Sequence, residues 1–386
     1  MAAAPERSRD ERERYAARVR GCLLGGAVGD ALGAPVEFWS AERIRDEVGP
    51  DGVRAYLPVE DASDGGPRYG QVTDDTQMTL FTVEGLIRAG IRRDRGLGFT
   101  VGVVHAAYDR WLDTQLLPGP PEDPADGPGG GWLSGRRWLY ARRAPGHTCL
   151  DALGSARAGA ARIRQYGFPA ENGSKGCGGV MRSAPFGLLP PDLWSRRQVF
   201  DQAAQAAGFT HGHPTGKLAS GAFAAIVAGL VAGDDLGGAL DEALAILGEH
   251  DQHEETSIAL AAARSAAADG GPPSAAAVAR LGEGWVAEEA LAVGLYAALA
   301  LPRTDQVLDA LALAVSHGGD SDSTGSICGN LLGALHGDTA LPPVLTFEVE
   351  GRGTILQLAD DLVWEFTASG QLHGDYGPYT RWIGRY

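Results

Sequence analysis

The chain has 386 residues, 44% of them hydrophobic and 21% charged, which is enough to bury a sizeable core in one large domain or two fused ones. Its 33 Lys and Arg against 49 Asp and Glu leave a formal charge of −16, which repels bare nucleic-acid backbones and anionic membrane surfaces and favours cations. An anionic ligand therefore needs a locally prepared pocket or a bound metal to offset the general field.

Residues 1–14 are charged and polar with no apolar h-region, so they read as a frayed leader, not a secretion signal, ahead of a single domain over 15–386. Apolar residues then recur at helical spacing over 15–33, 76–89, 99–113, 197–208, 217–232, 237–248, 286–300, 306–316 and 324–336. Ala and Leu dominate and β-branched runs are few, so the pattern is all-α. Pro and Gly clusters mark the connections at 49–70, Pro118–Gly131, Gly167–Gly179 and Gly270–Pro273. Pro118–Gly131 is long enough to form a lid or surface excursion. The cysteines Cys22, Cys149, Cys177 and Cys328 form neither a C-x-x-C pair nor a Cys/His ligand set, which makes a reduced cytoplasmic setting the default. No stretch approaches the roughly 20 uninterrupted apolar residues of a membrane span.

Two helical segments share a feature. Gly21, Gly25, Gly29 and Gly33 lie at intervals of four in the first, and Gly325, Gly329 and Gly333 do the same in the last. That spacing lays glycines along one helix face. Each costs about 1 kcal/mol relative to alanine, so the repetition requires an offsetting gain, most simply two backbones packed closely together. Contact between these helices would bring Asp30 and Glu37 to the start of the later one.

Thr73-Asp74-Asp75 opens one helical segment and Asp320-Ser321-Asp322-Ser323 opens another. Either run alone is best explained as a helix cap. Together they hold four carboxylates, and like charges crowd at a cost unless a cation neutralises them. With the hydroxyls of Thr73 and Ser323 they form a hard oxygen set suited to two Mg²⁺ or Mn²⁺ ions, and compatible with Ca²⁺. Two such ions polarise an oxygen substrate and lower the pKa of bound water, so the reaction class implied is hydrolysis.

Between the acidic runs, Asn172–Arg182 carries Gly173, Gly176, Gly178 and Gly179 with Ser174. Backbone N–H groups in such a loop can cradle a phosphate, with Lys175 or Arg182 adding charge, although a plain turn also fits. Downstream, His211 and His213 suit either a substrate contact or a structural hydrogen bond, and His317 reads as a packed neighbour of the second acidic run.

The ordered set Gly25–Glu37, Thr73–Met78, Gly176–Arg182, Thr210–Pro214 and Gly318–Gly325 resembles the ADP-ribosylglycohydrolase family. The resemblance spans roughly residues 15 to 340. It implies a compact orthogonal helical bundle with a dinuclear Mg²⁺ or Mn²⁺ centre that cleaves the C1″ bond between ADP-ribose and an acceptor. By motif position Thr73, Asp74, Asp75, Asp320, Asp322 and Ser323 match the metal ligands. Glu37 matches a glutamate above the metals, and Glu37 and Asp75 are the candidate acid or base. Gly173, Ser174, Lys175, Gly176 and Gly178 match the loop that grips the diphosphate and distal ribose, and His211 a histidine facing the substrate. Cys177 stands where many members have asparagine. Ser323 gives the second run the D-S-D-S form of the arginine-specific branch, so the implied partner is an ADP-ribosylated protein or small ADP-ribosyl compound, with no nucleic acid and no membrane. Two other readings share these residues: a non-catalytic scaffold protein, as in the related lens crystallins, and a two-metal phosphoesterase.

Overall fold

The computed structural model describes residues 8–60, 67–121, 130–159, 166–269, 271–367 and 385–386. Sixteen α-helices lie among the described residues. In the first half these are α1 (Arg9–Gly33), α2 (Ala41–Val48), α3 (Asp74–Asp94), α4 (Gly102–Leu116), α5 (His147–Gly159), α6 (Ala184–Gly187), α7 (Arg196–Ala207) and α8 (Pro214–Ala232). In the second they are α9 (Leu236–Leu247), α10 (Glu254–Ala268), α11 (Ala275–Ala279), α12 (Ala287–Ala300), α13 (Val307–Val315), α14 (Ser321–His336), α15 (Pro343–Glu348) and α16 (Arg352–Thr367). The fold is all-α as expected. The only strands among the described residues form a two-residue hairpin in which Val59 opposes Arg68 and Glu60 opposes Pro67.

The glycine-lined helices α1 and α14 do pack together, antiparallel. A Cβ on Gly21, Gly25, Gly29 or Gly33 would lie 2.3, 2.2, 1.9 or 2.3 Å from the carbonyl oxygens of Gly333, Gly329, Gly325 and Ser321 respectively. Only glycine permits backbones this close, where Cα–H groups face carbonyls across the interface. The register sets the C-terminal end of α1, with Asp30, against the N-terminal end of α14. The 3₁₀ turn Ala34–Val36 then carries the chain to Glu37 beside the same end.

Helix α8 is long and apolar enough for a membrane span by length and average composition, although Thr215, Lys217 and Ser220 interrupt its apolar run. Yet 89% of its apolar window is buried within the protein, against α7, α9 and α12 among others, which is the position of a core helix.

Two expectations change. Residues 9–14, expected to fray, belong to α1, which a reciprocal Ser8–Glu11 capping box starts at Arg9; residues 1–7 are outside the described ones. Helices α2, α5, α10 and α16 lay outside the periodic segments. In α10 only Thr256, Leu260 and Ala263 are buried, so an alanine-rich surface helix offers little periodic contrast. Most of the Pro118–Gly131 excursion, residues 122–129, lies outside the described residues.

Candidate active site

Both acidic runs cap helices, as their local chemistry requires. Thr73 is the N-cap of α3, its Oγ1 accepting from the Asp75 N–H at 3.3 Å. Asp320 is the N-cap of α14, accepting from the Ser323 N–H at 3.2 Å, and Asp322 Oδ1 accepts from the same group at 2.9 Å. The α1–α14 pairing then brings the two helix starts together. Asp74, Asp75, Asp320 and Asp322 are all buried, as are Thr73 and Ser323.

Asp30, which the glycine spacing brought to the start of α14 without a role among the ligands, belongs to this cluster. Fully buried, it accepts from the Thr73 N–H at 3.0 Å, the Thr73 hydroxyl at 2.9 Å and the Thr76 N–H at 3.1 Å, and it also accepts from the Thr76 hydroxyl. It thereby fixes the loop that presents Thr73, Asp74 and Asp75. A lone aspartate inside the apolar run Ala27–Leu32 was the available signal, since carboxylates are almost never fully buried without a partner or task.

The electrostatics of the cluster are one-sided. Burial, then the charge of Asp322, raises Asp74, Asp75 and Asp320 well above the usual carboxylate range, and the same causes push Asp30 up to about 7. Glu37, buried beside Asp322, Asp320 and Asp74, is pushed up to about 10. Among the described residues no Lys, Arg or His is ion-paired to any of the six carboxyls, and none is among the largest influences on them. Asp75 Oδ1 is buried with no hydrogen-bond partner. Among the described residues no three acidic, His or Cys side chains already converge in bonding geometry on one point. The donors therefore crowd without closing, but an orphaned buried carboxylate oxygen and an uncompensated oxygen set fit hard divalent cations. Thr73, Asp74, Asp75, Asp320, Asp322 and Ser323 could hold them.

A cavity of about 1040 Å³ adjoins this cluster, with Glu37 and Thr73 in its wall. Its far side is formed by Trp138, Tyr140 and Arg143 from the segment before α5. That segment is tied to the acidic run: Arg143 donates to the Val72 carbonyl at 2.7 Å and to Glu350, and the Gly146 N–H donates to Asp74 Oδ2 at 3.3 Å.

The glycine-rich loop flanks the second acidic run, bridged at Gly176 to Val286 just before α12. Three of its backbone N–H groups are already engaged. The Ser174 N–H donates to Asn172 Oδ1 at 3.0 Å, the Gly176 N–H to Ser174 Oγ at 3.3 Å and the Cys177 N–H to the Trp285 carbonyl at 3.2 Å. Lys175 is bound by the carboxylates of Glu255 and Glu288. Arg182 is buried, donating to Thr210 Oγ1 at 2.6 Å with its guanidinium 4.2 Å from the Tyr108 ring centre. The charge expected from Lys175 or Arg182 is therefore spent inside the protein. Gly173 lies near the start of the loop and Gly178 within its 3₁₀ turn Cys177–Gly179. A Cβ on Gly173 would meet nothing within 4 Å, whereas one on Gly178 would sit 3.1 Å from the His211 ring.

His211 is buried beneath this loop, its Nδ1 paired with Thr210 Oγ1 at 2.8 Å. Burial, then the Arg182 charge, lowers it to about 3, so the ring is neutral. His213 caps α8 by accepting from the Thr215 N–H at 3.2 Å. His317 is a buried neighbour of Thr324, as expected.

Residues 11–371 match the family model described as ADP-ribosylglycohydrolase. The ADP-ribosyl-[dinitrogen reductase] glycohydrolase of Rhodospirillum rubrum is 26% identical over 339 residues, 84% of this chain and 87% of that protein. An uncharacterised protein of Escherichia coli (strain K12), YegU, is 26% identical over 346 residues, 86% of this chain and 92% of that one. Among solved structures, one titled an ADP-ribosylglycohydrolase-related protein complex superposes with a TM-score of 0.60 at 24% identity, covering 92% of this chain and 99% of its own, a likeness of fold.

Proposed function

Because the chain belongs to the ADP-ribosylglycohydrolase family and is thus a hydrolase of ADP-ribosylated substrates, we propose that it removes ADP-ribose from arginine by cleaving the C1″–N bond, with two Mg²⁺ or Mn²⁺ ions bound at the paired acidic runs. The observation carrying this reading is the burial of six carboxyls, none of them ion-paired to a basic side chain among the described residues. The D-S-D-S form of 320–323, which resembles the arginine-specific branch, favours arginine as the acceptor.

Thr73, Asp74, Asp75, Asp320, Asp322 and Ser323 would hold the cations, and Asp30 would position the first three through its bonds to Thr73 and Thr76. Bound there, the cations supply Lewis acidity and anchor oxygen groups of the substrate. The cavity beside Glu37 admits the substrate next to these donors. Once neighbouring charge is neutralised, the Glu37 carboxylate can take a proton from the attacking water. Water oxygen bonds to C1″, the C1″–N bond breaks, and the departing guanidine takes up the proton that Glu37 received, which returns Glu37 to its carboxylate.

The test is release of ADP-ribose from arginine- and serine-linked ADP-ribosyl peptides with Mg²⁺ or Mn²⁺, with and without EDTA. Faster release from the arginine conjugate, abolished by EDTA, is expected. Undiminished turnover in excess EDTA contradicts the cation assignment, equal or faster release from serine contradicts the acceptor, and AMP as product would mean attack on the diphosphate.

A further inference from the structure

One donor in the acidic cluster is chemically unlike the rest. Cys177 begins the 3₁₀ turn Cys177–Gly179, and its Sγ lies 2.8 Å from Asp320 Oδ2. The charge of Asp75 also acts on it. The other three cysteines are buried, whereas Cys177 is partly accessible. Asp75 supplies an independent sign of a missing ligand at the same place, because its Oδ1 is buried and unpartnered while the residue is 3% exposed.

Two donors at right angles on one cation, with bonds of about 2.1 to 2.3 Å, stand about 3 Å apart. The Cys177–Asp320 spacing is of that size. Oxygen donors alone accommodate Mg²⁺, whereas a sulfur donor shifts preference towards thiophilic ions, in the order of ligand softness.

We propose that Cys177 Sγ is a further ligand of the cation bound by Asp320, and that it makes this position of the centre selective for thiophilic divalent ions such as Zn²⁺, Co²⁺ and Cd²⁺ over Mg²⁺. The inference rests on reading the acidic cluster as a cation centre. As the sulfur–metal bond forms, the thiol proton passes to buffer.

The full-length protein, freed of cations, is titrated with CdCl₂, CoCl₂, MgCl₂ and MnCl₂ while near-ultraviolet absorption and melting temperature are followed. Wild type is expected to develop a sulfur-to-metal charge-transfer band with Cd²⁺ and Co²⁺, and to be stabilised by Cd²⁺ at tenfold or more lower concentration than by Mg²⁺. Cys177→Ser and Cys177→Asn are expected to lose the band and at least tenfold of that preference, while Mg²⁺ and Mn²⁺ still raise their melting temperature. That retained response shows the variants folded with their oxygen donors intact. A band that persists in both variants, or that never forms in a wild type stabilised by Mn²⁺, overturns the proposal. Absence of stabilisation by any of the cations overturns the cation centre itself, and this inference with it.

Discussion

Gly25 of α1 and Gly329 of α14 meet backbone to backbone: a Cβ on Gly25 would lie 2.2 Å from the Gly329 carbonyl oxygen, and one on Gly329 would lie 1.9 Å from that of Gly25. Neither carbonyl can move without breaking its helix. Gly25→Ala should therefore cost about 3 kcal/mol or more, despite the better helix propensity of alanine. Gly154, within α5, has nothing within 4 Å of its would-be Cβ, so Gly154→Ala should stabilise by about 0.5 to 1 kcal/mol. Urea denaturation of the two variants reads both signs, and an unchanged midpoint for Gly25→Ala would contradict the close approach.

Asp75→Asn replaces a carboxyl whose ionisation is opposed by burial and by Asp322, and leaves the cap hydrogen bond at Thr73 in place. In cation-free buffer at pH 7.5 or so the variant should melt higher than wild type, since the amide carries neither that burial penalty nor that repulsion. In Mn²⁺ the order should reverse, because ligand binding stabilises only the protein that binds. Differential scanning calorimetry with and without Mn²⁺ measures both, and an equal Mn²⁺-induced rise in the two proteins would remove Asp75 from the ligand set.

Acid sensitivity should come in part from His105. It is buried, stacks on Phe209 with ring centres 4.7 Å apart and accepts from the Gly167 N–H at 3.1 Å. Burial lowers it to about 4, while an unfolded histidine titrates near about 6.5. Between those values the unfolded chain holds more protons, so stability present above pH 6.5 or so is lost as pH falls towards 4. His105→Gln should show a shallower fall in melting temperature over that interval than wild type. Parallel curves would exclude this contribution.

Arg143 ties the cavity wall to the acidic run through Val72 and Glu350. Arg143→Ala should cost about 1 to 3 kcal/mol, because Glu350 is left without its charged partner. The same variant should raise KM for an ADP-ribosyl substrate more than it lowers kcat, since the wall binds substrate and does not touch the reacting bond. Steady-state kinetics separate the two, and a fall in kcat alone would place Arg143 in the chemistry.

Much of the framework was legible before any contact was known. Nine periodic segments, 15–33 through 324–336, correspond to helices in the structure, because helical burial repeats every few residues along the chain. The four-residue glycine spacing foretold the α1–α14 contact for a similar reason: one face stripped of side chains has few other uses. Helices such as α10 and the short α11 escaped, since alanine-rich segments that bury little lack contrast between their faces.

Sequence by itself determined the helical class, the order of the motifs and the chemistry of the donors at 73–75 and 320–323, all of which are local properties. Tertiary structure decided which of those groups meet and what else meets them. It drew Asp30 under Thr73 and Thr76, spent Lys175 on Glu255 and Glu288, turned Arg182 onto Tyr108 and set Cys177 against Asp320. Burial and the pairing of charges depend on atoms that are far apart in the chain. Cys177 and Asp320 are separated by 143 positions, and no local pattern reports such a distance.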